Sequence, residues 1–305
     1  MSTWGNPRFP WLLYCLVSTF CPLPMPHREF PGLLYCLMEL LQSFILGAVQ
    51  GLTEFLPVSS SGHLILVPWF FNWKDPGLAY DVFLHGGTLL ALLVYFWEDV
   101  VKLAKGFVTL FTKARDARSE HQSLVLLLLV GTIPAAVLGK FLDPWAQHVL
   151  RDPRLVAFDL AVAGILLYVA DKFGKKARSI QTVTIIDALL IGCAQALALF
   201  PGVSRSGATI IAALLLGMRR PDSARYAFLL ALPITFGSVI FKFKDVLVGD
   251  ISVGYAVAGF VSSAVFGFFA IRYMLSFVQK HSYSIFVMYR LVLAVVVIGI
   301  FFSRI

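Results

Sequence analysis

The sequence predicts an all-α polytopic membrane protein with six transmembrane helices and two re-entrant helix pairs, arranged as an inverted-topology repeat. The chain is 59% hydrophobic and 14% charged, with a mean hydropathy of +0.82, which is too apolar for a soluble domain of 305 residues. Its apolar runs approach the ~20 residues that cross a bilayer as a helix. One broken apolar stretch occurs twice.

The duplicated stretch is the strongest pattern in the chain. Residues 47–65 read GAVQGLTEFLPVSSSGHLI and residues 192–210 read GCAQALALFPGVSRSGATI, and nine positions are identical at a constant offset of 145. In each copy an apolar segment is broken by Pro and a Ser/Gly cluster and then resumes, which is typical of a helix pair that enters a membrane and turns back. Such a break needs protein or a polar cavity around its freed backbone groups.

The remaining apolar runs predict the six full spans. They lie at about 79–97, 123–141, 156–172, 224–243, 251–273 and 284–302. Residues 38–305 form one membrane domain with repeat halves at about 38–172 and 182–302. Residues 1–37 read as an N-terminal extension that is dispensable, or as a mis-set start with Met38 as the initiator, because they make a poor signal peptide.

Loop charge predicts the orientation in the membrane. If each broken stretch returns to its own side, one face collects fourteen Lys and Arg residues in its loops and the opposite face collects six. The more basic face should be cytoplasmic, so both termini lie outside and the broken stretches enter from opposite faces. The net charge of +8 has the same explanation, and nucleic-acid binding is not expected. The four Cys residues form neither a metal spacing nor a disulfide framework.

Two charged side chains inside the broken stretches carry the functional signal. Inserting a charged side chain such as Glu54 or Arg205 at the centre of a membrane helix costs about 2.5–3.5 kcal/mol, so each of the two residues is expected to have a charged partner or a function. Gln50 and Glu54 are spaced i, i+4 and can reach one ligand or one cation. Ser60 and His63 follow the break after Pro57.

The second copy is suited to phosphate. Ser204, Arg205 and Ser206 precede or open a helix, and Thr209 lies in its first turn. A helix N-terminus with nearby hydroxyls binds anions, and Arg offers a planar fork that matches phosphate. The first copy therefore favours acid/base or metal chemistry, and the second favours phosphate binding.

Structural explanations compete with these assignments. Ser and Gly at a membrane helix break can serve only to satisfy backbone groups and allow close packing, and Glu54 with Arg205 can form a purely structural ion pair across the pseudo-twofold axis. Arg290 lies a few residues inside the last span and can snorkel to the cytoplasmic face, so a structural role is expected for it. No role is assigned to Asp81, His85, Asp159 or Asp187.

At these residues the sequence resembles the undecaprenyl-diphosphate phosphatase family, the bacitracin-resistance membrane proteins. Members carry (E/Q)xxxE followed by PVSSxGH, and a second motif PGxSRSxxT. Here these motifs read QGLTE, PVSSSGH and PGVSRSGAT, and the match covers nearly all of residues 38–305. The first acidic position of the family is Gln50 in this chain, and an amide cannot act as a base or add charge to a metal site.

The resemblance implies roles for the site residues. Glu54 would be essential for catalysis, through a divalent cation such as Mg²⁺ or Ca²⁺ with Gln50 as a further ligand, and Ser60 and His63 would be the nucleophile candidate and its partner. The remaining residues would bind the diphosphate together: Ser204, Arg205, Ser206 and Thr209. Whether Ser60, His63 or an activated water attacks stays open at this point.

The expected activity is hydrolysis of undecaprenyl diphosphate to the monophosphate and inorganic phosphate. This reaction recycles the lipid carrier for peptidoglycan synthesis and confers bacitracin resistance, in the bacterial plasma (inner) membrane. The expected partners are the polyprenyl diphosphate lipid and the membrane, and a homodimer is compatible with the sequence. The alternative is an inverted-repeat transporter or flippase of polyprenyl phosphate, because such transporters also join broken helices near the bilayer midplane.

Overall fold

The computed structural model describes residues 29–112, 120–248 and 252–304. Apart from two short 3₁₀ turns and one isolated bridge, the regular structure in these ranges is α-helical. The helices are α1 (Glu29–Phe55), α2 (Ser60–Phe71), α3 (Leu78–Tyr95), α4 (Trp97–Thr112), α5 (Glu120–His148), α6 (Pro153–Phe173), α7 (Ile185–Leu197), α8 (Arg205–Leu215), α9 (Arg220–Val248), α10 (Val253–Phe277) and α11 (Ser284–Ser303). The all-α membrane fold predicted from the sequence is confirmed.

Within the described ranges, seven helices rather than six are long and apolar enough to cross a membrane. Six of them correspond to the predicted spans, in α3, α5, α6, α9, α10 and α11. The seventh is Cys36–Phe55 in α1, which the sequence analysis counted as one arm of a re-entrant pair. Its counterpart α7 has only 13 residues, so the two arms differ in length, and the re-entrant arrangement stays a prediction.

Two stretches of the N-terminal half differ from the sequence expectation. Helix α1 begins at Glu29 and passes through the expected boundary at residues 37 and 38 without a break, while residues 1–28 lie outside the described part. Helix α4 was not predicted. It follows α3 after a single residue and carries charged residues between apolar ones, Glu98 and Lys102 among them, so it lacks the uninterrupted apolar run by which the spans were identified.

The internal repeat is visible in how the helices pack. Helix α1 packs against α10, and α7, its repeat mate, packs against α5. In each broken pair, the first helix therefore packs against a long helix of the other half. At both contacts two glycines meet backbone to backbone, Gly47 with Gly259 and Gly192 with Gly131, and Gly47 and Gly192 are the same position of the repeat. Small residues allow such close approach between membrane helices.

The apolar interior and the apolar exterior are both extensive, as expected for a protein in lipid. The main buried cluster joins α3, α5, α8, α9 and α10 through residues such as Leu92, Leu128, Ile210, Phe228 and Ile271. The outward faces of α6 and α11 carry large exposed apolar side chains, among them Phe158, Ile165, Val295 and Phe302. Such a surface is suited to hydrocarbon, and it leaves the few buried polar groups to be explained.

Replacing Gly47 or Gly192 by Ala should lower the thermal unfolding midpoint of the purified protein in detergent. A Cβ at either position overlaps the backbone of the facing glycine, and overpacking of this kind costs about 1–3 kcal/mol. Gly237→Ala is the control, because a Cβ at Gly237 meets nothing within 4 Å. Midpoints equal to that of the control would contradict the described helix contacts.

Candidate active site

Both helix breaks have the same local structure. Ser59 and Ser204 are N-caps with positive φ angles of 75° and 76°, and each side-chain oxygen accepts a hydrogen bond from the amide three residues ahead, at 3.3 Å from Gly62 and 3.1 Å from Gly207. The side-chain bond offsets part of the strain of a left-handed backbone at a non-glycine residue. The next helix then begins at Ser60 in the first copy and at Arg205 in the second.

The two breaks are bonded to each other through motif hydroxyls. The Ser59 Oγ accepts from the backbone N–H of Gly202 at 3.0 Å, and the Ser206 Oγ donates to the carbonyl oxygen of Glu54 at 3.0 Å. These bonds satisfy backbone groups that the helix ends leave free, as non-helical backbone in a membrane requires. The same bonds bring the last turn of α1 and the first turn of α8 into contact.

Glu54 lies at the centre of the resulting polar cluster. Its side chain is buried, and its Oε2 accepts hydrogen bonds from the Ser60 Oγ at 2.5 Å and from the Gln50 Nε2 at 3.0 Å. Its Oε1 accepts from the Nη2 of Arg205. The structure therefore brings four of the predicted site residues together: Gln50, Glu54, Ser60 and Arg205.

Two further residues outside the motifs complete the cluster. The Nε2 of His85 lies 3.3 Å from the Glu54 Oε2, and its Nδ1 lies 2.7 Å from the Asp81 carbonyl oxygen, to which only a protonated Nδ1 can donate. The Nη1 of Arg205 donates to the Thr235 Oγ1 at 2.5 Å. A His within a predicted span was an available signal for the first of these. Thr235 gave none, since Thr is common in membrane helices.

His63 does not reach the cluster around Glu54. Its Nδ1 lies 2.7 Å from the Ser59 carbonyl oxygen and its Nε2 lies 2.6 Å from the Tyr289 hydroxyl, with the two rings stacked at 5.6 Å between centroids. If Nδ1 carries the ring hydrogen, Nε2 accepts from Tyr289, so both ring nitrogens are engaged. The partner of the Ser60 hydroxyl is Glu54 rather than His63.

Of the predicted phosphate-binding residues, only Arg205 directs its functional group into the cluster. Ser204 caps its helix, Ser206 bonds to backbone carbonyls of the first break, and the Thr209 hydroxyl donates to the carbonyl oxygen of Arg205 one turn earlier at 2.9 Å. The predicted contact of Ser204, Ser206 and Thr209 with phosphate stays a prediction.

Arg290 is fully buried, so the expectation that it snorkels to the membrane surface is wrong. Its guanidinium donates to the carbonyl oxygens of Pro57 at 2.9 Å and Gly202 at 2.7 Å, one at each break, and to that of Leu160 at 3.1 Å. The reason is the surplus of acceptors at a broken helix. Carbonyls without helical partners need donors, and Arg supplies five in a fixed fork.

The oxygen donors at the site allow a test of the expected divalent cation. Among the described residues no group of three His, Cys, Asp or Glu side chains could hold a metal ion. However, the buried Gln50 Oε1 has no hydrogen-bond partner among the described residues, and the Nε2 of the same amide donates to the Glu54 carboxylate. Mg²⁺ is often bound by only one or two protein oxygens, while water and the substrate's phosphates supply the other ligands. One carboxylate and one amide oxygen are sufficient for that kind of site. The residues present are compatible with such an ion, whose presence stays a prediction.

The fold and the cluster together define a class: a multi-pass membrane protein with a buried polar centre between two helix breaks. The family model described as "Bacitracin resistance protein BacA" matches residues 43–296, and the chain belongs to this family.

Curated relatives match over nearly their whole length. The chain is 42% identical over 267 residues to a protein of Moorella thermoacetica, covering 88% of this chain and 100% of the relative. It is 44% identical over 270 residues to one of Gemmatimonas aurantiaca (88% and 100%), and 45% identical over 260 residues to one of Geotalea daltonii (83% and 95%). All three relatives are named undecaprenyl-diphosphatase.

Replacing Arg205 by Met should lower the stability of the purified protein by roughly 3 kcal/mol, because it leaves the Glu54 carboxylate buried without its cation. The double variant Glu54→Gln, Arg205→Met should recover part of the loss, since no charge is then unpaired. Thermal unfolding in detergent measures both. The control is Arg154→Met, whose side chain is exposed on the surface and should leave the midpoint unchanged. A double variant less stable than Arg205→Met would contradict the ion pair.

Proposed function

We propose that this chain hydrolyses undecaprenyl diphosphate to undecaprenyl phosphate and inorganic phosphate, as the names of its curated relatives state for those proteins. In the bacterial inner membrane this reaction recycles the lipid carrier for peptidoglycan synthesis, and it would confer bacitracin resistance. The observation that carries the proposal is the 2.5 Å hydrogen bond from the Ser60 hydroxyl to the Glu54 carboxylate, with Arg205 on the other carboxylate oxygen. A hydroxyl, a base and a phosphate-binding cation are thus in contact.

In the first step, Glu54 takes the proton of the Ser60 hydroxyl, and the Ser60 Oγ attacks the terminal phosphorus of the diphosphate. The bond between that phosphorus and the bridging oxygen breaks, and undecaprenyl phosphate leaves. Arg205 stabilises the negative charge on the transferred phosphoryl group. The proton passes from Glu54 to the departing phosphate, which restores the carboxylate.

In the second step, Glu54 takes a proton from water, and the resulting hydroxide attacks the phosphoserine. The bond between the Ser60 Oγ and phosphorus breaks, inorganic phosphate leaves, and the proton on Glu54 returns to the Ser60 oxygen. Glu54 therefore acts as base in both steps. Because Nδ1 of His85 donates to the Asp81 carbonyl oxygen, His85 helps to hold the Glu54 charge only in its doubly protonated form, in which Nε2 donates to the same carboxylate oxygen. His63 is not needed as the base, because its ring nitrogens contact Ser59 and Tyr289.

A divalent cation belongs to this proposal. Glu54 and the unpartnered Gln50 Oε1 are the protein ligands that would hold it beside the substrate. When bound, Mg²⁺ or Ca²⁺ would neutralise part of the diphosphate charge. Since Gln50 is neutral, the protein contributes one negative charge at most to this site.

Several finer features remain part of the same proposal. The loop charges favour both termini on the periplasmic side, and a homodimer is compatible with the apolar outer faces. A transporter or flippase is the less favoured function, since a carrier needs binding groups but no hydroxyl held against a base. The two functions separate in detergent, where transport is impossible.

Phosphate release from undecaprenyl diphosphate by the purified protein in detergent tests the mechanism. Ser60→Ala and Glu54→Gln should each lower kcat at least about 100-fold, because one removes the nucleophile and the other the base. His63→Ala should lower it less, about 10-fold or under, through displacement of the break. Ser61→Ala is the matched control, because among the described residues the Ser61 hydroxyl is hydrogen-bonded to that of Ser59 and not to Glu54. If Ser60→Ala and Glu54→Gln release phosphate at the wild-type rate, the proposed mechanism fails.

Removal of divalent cations with EDTA should abolish phosphate release, and Mg²⁺ or Ca²⁺ should restore it. In Gln50→Glu a second carboxylate joins Glu54, so half-maximal activity should require roughly 10-fold less metal, because added ligand charge raises cation affinity. Full activity of the wild type in EDTA would remove the metal from the proposal.

A further inference from the structure

The guanidinium of Arg205 is held by two acceptors that come from different elements. Its Nη2 donates to Glu54 on α1, and its Nη1 donates to the Thr235 Oγ1 on α9 at 2.5 Å. A planar group bonded through both terminal nitrogens has little freedom to rotate. The orientation of Arg205 is therefore fixed by one charged and one neutral partner.

Thr235 is itself fixed as an acceptor. Its side chain is 1% exposed, and its hydroxyl donates to the carbonyl oxygen of Ala231 at 2.6 Å. Because a hydroxyl has one hydrogen and two lone pairs, the hydrogen is committed to Ala231 and a lone pair faces Arg205. Thr235 can thus accept from Arg205 but cannot also donate to a substrate.

The remaining donors of Arg205 are available to a ligand. In the described part of the chain its Nε makes no hydrogen bond, and the side chain is 19% exposed, whereas that of its partner Glu54 is 4% exposed. We call the side of the guanidinium that carries Nε–H its free edge. Together with a neighbouring Nη hydrogen, Nε–H can donate to two oxygens of a phosphate.

The two partners of Arg205 behave differently when a phosphate arrives. A phosphate competes with the Glu54 carboxylate for the same guanidinium, and in the proposed mechanism Glu54 must also take the proton of Ser60. The bond between Arg205 and Glu54 therefore weakens during turnover. Thr235 is neutral and lies on the opposite nitrogen, so its bond can persist without opposing the attraction between Arg205 and phosphate.

Thr235 has no equivalent hydroxyl in the first copy of the repeat. The residue 145 positions earlier is Leu90, which is 43% exposed on the outer surface. The first residues of the two second-arm helices are Ser60 and Arg205, so the arginine occurs only in the second copy. At this position of the repeat, the half that carries the arginine has a buried hydroxyl and the other half has an exposed leucine.

We propose that Thr235 is a positioning residue for Arg205: it holds the guanidinium at Nη1 and keeps its free edge turned toward the substrate phosphate while Glu54 is engaged with Ser60. The inference rests on the proposed function of Arg205 as the phosphate-binding cation. Thr235 lies outside both sequence motifs. It acts on the phosphate only through the arginine.

Three variants test the proposal in detergent with undecaprenyl diphosphate. Thr235→Val keeps the shape but removes the acceptor, and kcat should fall about 10-fold, the effect of one lost hydrogen bond to a charged group. KM should change less than about 3-fold, since the cation is still present. Thr235→Ser keeps the acceptor and should retain most of the wild-type kcat. Thr132→Val is the matched control, because Thr132 makes the same bond to a carbonyl one turn earlier, at 2.7 Å, without an arginine partner.

The outcomes separate this inference from the function on which it rests. If Arg205→Lys turns over as fast as wild type, the assignment of Arg205 fails and the inference fails with it. If Arg205→Lys is impaired but Thr235→Val is not, only the inference fails. A loss of kcat that Thr132→Val shares, or a Thr235→Val defect that Thr235→Ser does not rescue, would also overturn it, because either result indicates general destabilisation. Thermal unfolding midpoints recorded on the same samples establish that the kinetic comparison concerns folded protein.

Discussion

The contact between Glu54 and Arg205 is the constraint on which the rest of the structure depends. Either charge alone would be costly in a membrane, by about 2.5–3.5 kcal/mol on insertion scales. Together they form a neutral pair, and the Oε2 of Glu54 also accepts hydrogen bonds from Ser60 and Gln50. Glu54 lies in the last turn of α1 and Arg205 opens α8, so the pair requires two helix breaks whose residues are 151 positions apart in sequence to lie side by side.

That requirement explains the groups around the breaks. A broken helix exposes amides at one end and carbonyls at the other, and lipid offers no partner for either. Ser59 and Ser204 satisfy amides, Ser206 satisfies carbonyls of the first break, and Arg290 satisfies carbonyls of both. Many motif hydroxyls thus bond to backbone, so the structural explanation considered for them from the sequence accounts for their contacts in this structure. Only a few polar side chains of the breaks, Glu54, Ser60 and Arg205 among them, bond to one another instead.

The sequence was sufficient to predict the features that repeat and the charged residues that lie inside apolar segments. The six apolar runs, the duplicated break and the paired charges all follow from simple rules, because each is a local pattern or a costly exception. What could not be predicted depends on which side chains face each other across distant helices. His85 and Thr235 contribute one contact each from spans whose sequences look ordinary, and the direction of His63 was set by Tyr289, 226 positions away. The length of the arms was not predicted either, because the same break pattern occurs in α1, which is long enough to cross a membrane, and in α7, which has 13 residues.

The repeat also explains how one fold can join two different chemical tasks. Ser60 and Arg205 occupy the same position of the two copies, each at the start of a helix after a serine cap. The two copies therefore present side chains from the same repeat position to one carboxylate, that of Glu54. Where the first copy has Glu54 the second has Leu199, so a single carboxylate lies between them and contacts both. If both copies carried the carboxylate, two negative charges would compete for one arginine and repel a diphosphate. Divergence at these two positions gives a site with a hydroxyl on one side of the carboxylate and a guanidinium on the other.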